Sequence, residues 1–383
     1  MRKIKVAFFS DVLRRGFDGA NRTMFHIIDR IPQDRYEFFF IYGDGDDDFQ
    51  ENSASLRIPN IGIPFNRNYK LALPTVVSAK LRRKLDRFRP DVIHIASPSI
   101  LGNFAVDYAR PRGIPTIAIY HTHYISYVPY YTSKVPMITS LAQKSVISGQ
   151  RIFYNKCDTV LVPTNHMKEE LIRYGFHEER LKVWPRGLDH KLFYPSPKLG
   201  ENGSGAFKIL FASRLVWEKN LKTLINIYKR IISLPDEIEF MIVGDGPAYR
   251  ELRHAMPQAH FIGKLNQSDL AGYYRQADLF LFPSISETYG SVLLEAMACG
   301  CPCLVARGGG TAEYVKHEIN GMVVSPEAVD DYVISIIDLK NNSVKRQKLI
   351  DGGIKFTQSL SWDELVSVYL EIIDNYARSY TWV

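Results

Sequence analysis

The sequence predicts an α/β protein made of two Rossmann-like, doubly wound parallel-sheet domains facing across a cleft. Three observations carry that expectation. The 383 residues exceed the size at which one hydrophobic core usually stops growing. The apolar runs are continuous rather than alternating, which marks strands buried on both faces and therefore parallel. Those runs alternate with helical patterns in two successive series, separated by the Pro-, Gly- and Ser-rich stretch PSPKLGENGSG.

In the first series, strands are expected at Ile4 to Ser10, Tyr36 to Tyr42, Asp91 to Ala96, Pro115 to Tyr120 and Thr159 to Val162. Helical stretches such as Gly19 to Ile31 and Leu101 to Ala109 lie between them. The second series places strands at Lys208 to Ser213, Ile238 to Val243, Ala259 to Ile262, Leu279 to Phe282 and Pro302 to Ala306. The domains are read as 1–192 and 193–361, followed by a helical pattern from Trp362 to Tyr376. Their likeness is architectural, without a sequence repeat. In open parallel sheets ligands bind beyond the carboxyl ends of strands, so two such domains would hold a site in the cleft between them.

Composition sets disorder aside, with 46% hydrophobic and 23% charged residues. No apolar run approaches the roughly 20 residues that span a bilayer, and MRKIKVAFFSD is too short in apolar residues for a signal peptide, so a cytoplasmic location is expected. Cys157, Cys299, Cys301 and Cys303 do not make a disulfide framework and are read as buried free thiols. Up to Pro195 there are 29 Lys and Arg against 19 Asp and Glu, or +10, and the remainder carries −3. The densest basic stretch is Lys80, Arg82, Arg83, Lys84, Arg87 and Arg89, where Leu81, Leu85 and Phe88 recur at helical spacing. Such a face suits anionic lipid headgroups and a peripheral membrane position, with a solvated helix face as the competing reading. No nucleic-acid-binding module accompanies the charge.

The strongest chemical signal runs from Ser286 to Gly300, SETYGSVLLEAMACG, after the apolar run LFLFPS. Gly290 and Ser291 are expected to open a helix that ends near Gly300. Its first N–H groups, at the positive end of the helix dipole, suit a diphosphate. Glu287 lies just before that helix and Glu295 about 7.5 Å along it, at roughly 1.5 Å per residue. Two carboxylates so spaced could accept from a sugar and from a ribose on either side of the phosphates. The run KILFAS leads to Arg214, and Lys219 follows at the start of a helix, so two cations could neutralise a departing nucleotide diphosphate. FMIVG runs into Asp245-Gly246-Pro247, where small residues would let a ligand approach. HFIG ends at Lys264, placed where a base could stack or be read. Arg307-Gly308-Gly309-Gly310 is a weak glycine-loop signal by itself. Asp44-Gly45-Asp46 matches the Asp-x-Asp of metal-dependent transferases, but it lies in the acidic run GDGDDD and is read as a solvated loop.

These residues resemble the retaining glycosyltransferases of family 4, glycosyl transferases group 1, with the GT-B fold. The resemblance covers nearly the whole chain. It is most specific in Ser213-Arg214-Leu215 with Lys219, in Val243-Gly244-Asp245-Gly246-Pro247, and from Pro283 through Tyr289, Gly290 and Ser291 to Pro302. It implies that Arg214 and Lys219 bind the donor diphosphate, that Glu295 binds the ribose and that Glu287 contacts the transferred sugar. It implies further that the last helix, 362–383, packs back on the first domain.

In the first domain PTIAIY ends in His121-Thr122-His123, followed by YISYVPYYTSK. The resemblance makes His121 the catalytic histidine lining the sugar pocket. His123, Tyr124 and Tyr127 are candidates for an acceptor platform. Family members carry a glycine-rich loop after the first strand, often with two consecutive glycines; this chain has Gly19-Ala20, with Gly16 upstream. Trp184 to Asp189, WPRGLD, resembles the family's interdomain segment.

The implied reaction is transfer of a hexose, with retention, from a UDP- or GDP-linked donor to a hydroxyl, with no cofactor and no metal requirement. The usual proposal is front-side displacement, which asks the protein to position two substrates and stabilise charge. YHTHYISYVPYY with WPRGLD is nearest the branch containing sulfoquinovosyl and mannosyl transferases that act on lipids, which points to a lipid acceptor with a glycan as the alternative. A GT-B-like sugar-nucleotide epimerase and an inactive nucleotide-sugar binder share the architecture. The donor base, the sugar and the acceptor are not legible.

Overall fold

The computed structural model describes residues 2–46, 54–63, 66–132, 136–196, 205–235, 237–380 and 382. The chain forms two compact units: one comprises Met1–Ile125, Val135–Pro185 and Asp363–Val383, the other Ser126–Lys134 and Arg186–Trp362. Most of the PSPKLGENGSG stretch, residues 197–204, lies outside the described residues.

The first unit runs β1 (Ile4–Leu13), α1 (Gly19–Ile28), β2 (Tyr36–Gly45), β3 (Ala54–Arg57), β4 (Asn60–Ile63), β5 (Asn66–Ala72), α2 (Ser78–Phe88), β6 (Val92–Ile95) and α3 (Ile100–Ala109). It continues through β7 (Thr116–Ile119), α4 (Tyr124–Tyr131), α5 (Pro136–Tyr154), β8 (Thr159–Val162), α6 (Asn165–Arg173) and β9 (Leu181–Val183). Seven strands form one parallel sheet in the order β3-β2-β1-β6-β7-β8-β9, so the direction of winding reverses between β1 and β6. Phe8 and Phe9 in β1 and all four residues of β6 are buried, as two-sided burial requires. The helices present one apolar stripe: in α2, Leu81 and Leu85 are buried while Lys80, Arg83, Lys84 and Arg87 are exposed.

Two readings of this unit need correction. Asp44 is not in a solvated loop. It belongs to β2, pairs with Val12 of β1 and is 1% exposed, because Arg14, Arg57 and Lys70 supply its counter-charges from other segments. The antiparallel pair β4–β5 was not anticipated, since its period-two apolar pattern is only two residues long in each strand, Ile61 with Ile63 and Tyr69 with Leu71, among Asn, Gly, Arg and Lys. Asp11 ties this hairpin to the sheet by accepting from the Ala72 N–H at 3.0 Å and from Ser97 Oγ at 2.7 Å.

The second unit runs β10 (Phe207–Ala212), α7 (Leu221–Ile231), β11 (Ile238–Val243), α8 (Tyr249–Ala255), β12 (His260–Gly263), α9 (Gln267–Gln276) and β13 (Leu279–Phe282). It ends with α10 (Ser291–Ala298), β14 (Cys303–Ala306), β15 (Met322–Val324), α11 (Val329–Asn341) and α12 (Ser343–Thr357). Its parallel sheet has the order β12-β11-β10-β13-β14-β15, which reverses between β10 and β13. Helix α7 shows why the chain folds this way locally. Leu221, Leu224, Ile227, Tyr228 and Ile231 recur at three- and four-residue spacing and are all buried, while Lys222, Lys229 and Arg230 face water. Each such side chain contributes roughly 1.5–3 kcal/mol by leaving water.

The last helix, α13 (Trp362–Ser379), packs Val366, Tyr369 and Ile373 into the first unit. Tyr369 bonds His94 Nδ1 at 3.0 Å, Trp184 Nε1 donates to the Leu365 carbonyl at 2.8 Å, and Asp374 takes both Tyr36 at 2.5 Å and Arg35 at 2.7 Å. His94 is fully buried and stacked on Phe8, and burial pushes its pKa down to about 3, so it stays neutral. All four cysteines are free and buried, and burial pushes the Cys157 and Cys299 thiols up to about 12. Among the described residues no helix is long and apolar enough to cross a membrane.

Candidate active site

In the second unit the ends of β10, β11 and β13 bring several predicted residues together. The chain leaves β10 at Ser213, exposes Arg214, buries Leu215, and turns through the single 3-10 turn Trp217–Lys219. Asn220 then adopts a left-handed conformation at φ 55°, and its side-chain amide donates to the Pro283 and Pro326 carbonyls, both at 3.1 Å. This anchor was not recognised in the sequence, although Asn directly before a helix is a left-handed-turn signal. It fixes where Lys219 emerges.

Lys219 is 5% exposed and its Nζ donates to Glu287 Oε1. The two segments are stapled a second time, because Ser286 Oγ donates to the Glu218 carbonyl at 2.8 Å. From the other side, the glycine loop contributes the Gly310 N–H to the Glu287 carbonyl at 2.8 Å. Glu218, also unremarked in the sequence, is 4% exposed, and its Oε1 has no hydrogen-bond partner among the described residues.

Gly290 caps α10 at φ 77°, and a Cβ there would lie 2.6 Å from Thr311 Cγ2. Tyr314 holds this turn by donating to the carbonyls of Tyr289 at 2.7 Å and Gly290 at 2.9 Å. No side chain caps α10, so its first N–H groups, including that of Ser291, have no side-chain acceptor at the cap, and the helix starts four residues after Glu287, the partner of Lys219. Tyr289 is buried, its hydroxyl donates to the Arg186 carbonyl at 3.3 Å, and burial raises its pKa. Burial likewise lowers Arg186 to about 10.

Glu295 sits on the inner side of α10 at 3% exposure. Its Oε2 accepts from Tyr274 at 3.2 Å and its Oε1 from Gln267 Nε2 at 3.5 Å, both on α9. Lys264 is exposed immediately after β12. The small residues after β11 also have an internal reason. At Gly244, φ is 133° and a Cβ would meet the Ser213 carbonyl at 1.8 Å; at Gly246 it would meet the Leu215 carbonyl at 2.4 Å. The glycines let the turn carrying Arg214 pack against them.

In the first unit His121 follows Tyr120 at the end of β7 and is half-buried. His123 is turned inward: Nδ1 meets the Tyr120 hydroxyl at 2.8 Å and Nε2 meets Glu170 Oε1 at 3.3 Å, with Tyr120 also donating to Gln150 at 3.1 Å. Both ring nitrogens are thereby engaged, so His123 organises the turn instead of presenting itself to an acceptor. The hydrogen bond from His123 holds Glu170 below the usual carboxylate range. Tyr124 opens α4 and is 38% exposed, whereas the Tyr127 side chain lies outside the described residues. Gly19 is the first residue of α1 and its nearest prospective Cβ contact is 3.9 Å away; Gly16, at φ 68°, is the residue the preceding turn requires. Among the described residues no group of three or more His, Cys, Asp or Glu is placed to hold a metal ion.

A doubly wound unit that sets two cations and a free helix end at adjoining strand ends, joined to a second doubly wound unit, defines the GT-B class of glycosyltransferases, enzymes that draw on a nucleotide-sugar donor. Residues 17–192 match the family described as Glycosyltransferase Family 4, and residues 198–356 match Glycosyl transferases group 1. The chain belongs to this glycosyltransferase family. It is 29% identical over 340 residues to a GDP-mannose-dependent alpha-mannosyltransferase of Corynebacterium glutamicum, covering 85% of this chain and 77% of that one. It is 29% identical over 307 residues to the sulfoquinovosyl transferase SQD2 of Arabidopsis thaliana, covering 76% of this chain and 58% of the relative. Sucrose-phosphate synthase from Thermosynechococcus elongatus shares the fold, with a TM-score of 0.79 over 99% of this chain and 100% of that one, at 18% identity.

Proposed function

We propose that this enzyme transfers a hexose, with retention of configuration, from a UDP- or GDP-linked donor to a hydroxyl of a lipid or glycan acceptor at the cytoplasmic face of a membrane. The observation that carries the reading is the Lys219–Glu287 pair beside the uncapped start of α10. Without donor, Lys219 is neutralised by Glu287. A donor diphosphate competes for that ammonium, and its arrival on Lys219, Arg214 and the α10 amides releases Glu287 to accept from hydroxyls of the sugar. The remaining donor roles are assigned to Glu295 for the ribose, Lys264 for the base, and Gly19, Gly244, Tyr289, Gly290 and Ser291 along the phosphates and sugar.

The bond from the anomeric carbon to the diphosphate oxygen breaks as the acceptor oxygen bonds to that carbon on the same face, and the acceptor proton passes to the leaving phosphate. The lysine, the arginine and the helix amides stabilise the charge on that phosphate, the service a divalent metal provides elsewhere, so no metal is required. His121 contacts the transferred sugar and Tyr124 the acceptor. The two relatives, one using GDP-mannose and one moving sulfoquinovose, support a hexose donor, and the exposed cations of α2, Lys80, Arg83, Lys84 and Arg87 with Arg82 beside them, support contact with an anionic membrane. Turnover assays of nucleotide sugars with lipid and soluble acceptors test this reading; an inverted product, or transfer from no donor to any of these acceptors, overturns it.

A further inference from the structure

One buried carboxylate of the second unit serves nothing in the fold. Glu218 is 4% exposed, its Oε1 is sealed from water, and among the described residues no group donates to its carboxylate. A charge withdrawn from water without a hydrogen-bonding partner opposes folding. What holds the residue in place is its main chain: the Glu218 carbonyl accepts from Ser286 Oγ at 2.8 Å, and the Asn220 amide two positions on donates to the Pro283 carbonyl at 3.1 Å. Neither contact uses the carboxylate, so any side chain at 218 would permit them.

Lys219 has the opposite shortage. It is 5% exposed, its ammonium carries three N–H groups, and Glu287 is its one side-chain partner among the described residues. Neighbouring residues of a single 3-10 turn therefore hold an unused anion and unused N–H donors. The turn follows β10, which borders the reversal of strand order between β10 and β13, at the carboxyl end where such sheets take their ligands. A ligand that carries anionic oxygens and hydroxyls together meets both shortages. In a nucleotide sugar the diphosphate is flanked by the ribose and the hexose, so the groups nearest a phosphate held by Lys219 are hydroxyls. An ionised carboxylate only accepts, and accepts strongly.

We propose that Glu218 accepts a hydrogen bond from a hydroxyl of the nucleotide-sugar donor, and that the turn Trp217–Lys219 shifts to admit it as the diphosphate draws Lys219 from Glu287. The covered Oε1 makes that movement necessary. Naming the ligand rests on the transferase reading above; the lack of a partner for the carboxylate does not. The hydroxyl belongs either to the ribose or to the transferred sugar. The empty protein bears an unpaired charge, and the donor relieves it.

The test uses the full chain. Denaturant unfolding without ligand compares the wild type with Glu218→Gln, which keeps the shape and removes the charge; the variant is expected to be at least as stable, whereas a structural role predicts a loss. Calorimetric titration then uses UDP, GDP, UDP-glucose and GDP-mannose. For the nucleotide sugar that the wild type binds, Glu218→Ala is expected to lose affinity by about tenfold or more, and Glu218→Gln by about threefold, since its amide oxygen still accepts. An equal loss for the nucleoside diphosphate assigns the hydroxyl to the ribose, and a loss confined to the nucleotide sugar assigns it to the transferred sugar. Saturating nucleotide sugar is expected to shift the tryptophan emission of the wild type, with most of that shift gone in Trp217→Phe; a shift that persists there overturns the movement. Unchanged affinity in both Glu218 variants, or a ligand-free Glu218→Gln less stable than the wild type, overturns the inference. If Glu218→Ala does not fold, Glu218→Gln alone decides. Wild-type binding to none of the four probes counts against the transferase reading itself, while the unfolding comparison still decides whether the carboxylate stands unpaired.

Discussion

Lys219 and Glu287 form an ion pair in which both side chains are largely withdrawn from water, at 6% and 17% exposure. They are separated by 68 positions in sequence and meet because Asn220 and Ser286 tie the turn after β10 to the loop after β13. A pair this enclosed is sensitive to the loss of one member, which leaves a buried charge without its partner.

Lys219→Ala is accordingly expected to lower stability by about 3–5 kcal/mol and to weaken UDP or GDP binding by at least about tenfold. Glu295→Ala is expected to weaken nucleotide binding as well, with the fold retained. Denaturant unfolding and calorimetric titration on the same samples separate the effects. Unchanged nucleotide affinity in both variants contradicts the assignment of the site.

Tyr314→Phe removes one hydroxyl that serves two carbonyls at the start of α10. Both acceptors are buried, so the loss is expected to cost about 1–3 kcal/mol in unfolding free energy. Nucleotide affinity should fall in parallel as the helix start loosens. A variant as stable as the wild type would show that the turn is held by other contacts.

The glycines predict a contrast. Gly244→Ala places a Cβ 1.8 Å from a carbonyl oxygen at a backbone angle that L residues avoid, and a loss of more than about 2 kcal/mol is expected. Gly19→Ala, with no atom nearer than 3.9 Å and a helical backbone, is expected to be neutral or slightly stabilising. Thermal unfolding of the two variants side by side checks this, and equal effects would contradict it.

Glu170 gives a pH signature. Its folded pKa is depressed by His123, so its contribution to stability is complete above the ordinary glutamate value near 4.5 and is lost as pH falls from there through the lower folded value. Glu170→Gln is expected to lower the unfolding temperature near neutral pH and to narrow its difference from the wild type in acid. A constant difference across that range would show that the carboxylate's charge is not what matters.

The doubly wound architecture was legible because buried parallel strands are written as unbroken apolar runs. Thr159–Val162, Ile238–Val243 and Leu279–Phe282 begin and end where those runs do. Strands were misjudged where polar residues are buried by pairing. β1 extends to Leu13 through Asp11, held by Ser97 and the Ala72 N–H, and β2 extends to Gly45 through Asp44, held by cations distant in sequence. The hairpin β4–β5 and the short strands β9 and β15 carry too little pattern to be seen. Of the site, the residue types and the strand ends that bear them could be read from the chain. The direct contact of Lys219 with Glu287, the inward turn of His123 and the use of Gly244 against Ser213 could not, because each depends on which strand ends become neighbours in the sheet.

The most direct test of the central claim is the crystal structure of the protein bound to UDP or GDP. The diphosphate is expected against Lys219, Arg214 and the first amides of α10, with Glu287 released from Lys219. A diphosphate bound elsewhere, or a Lys219–Glu287 pair left intact beneath it, would contradict the claim.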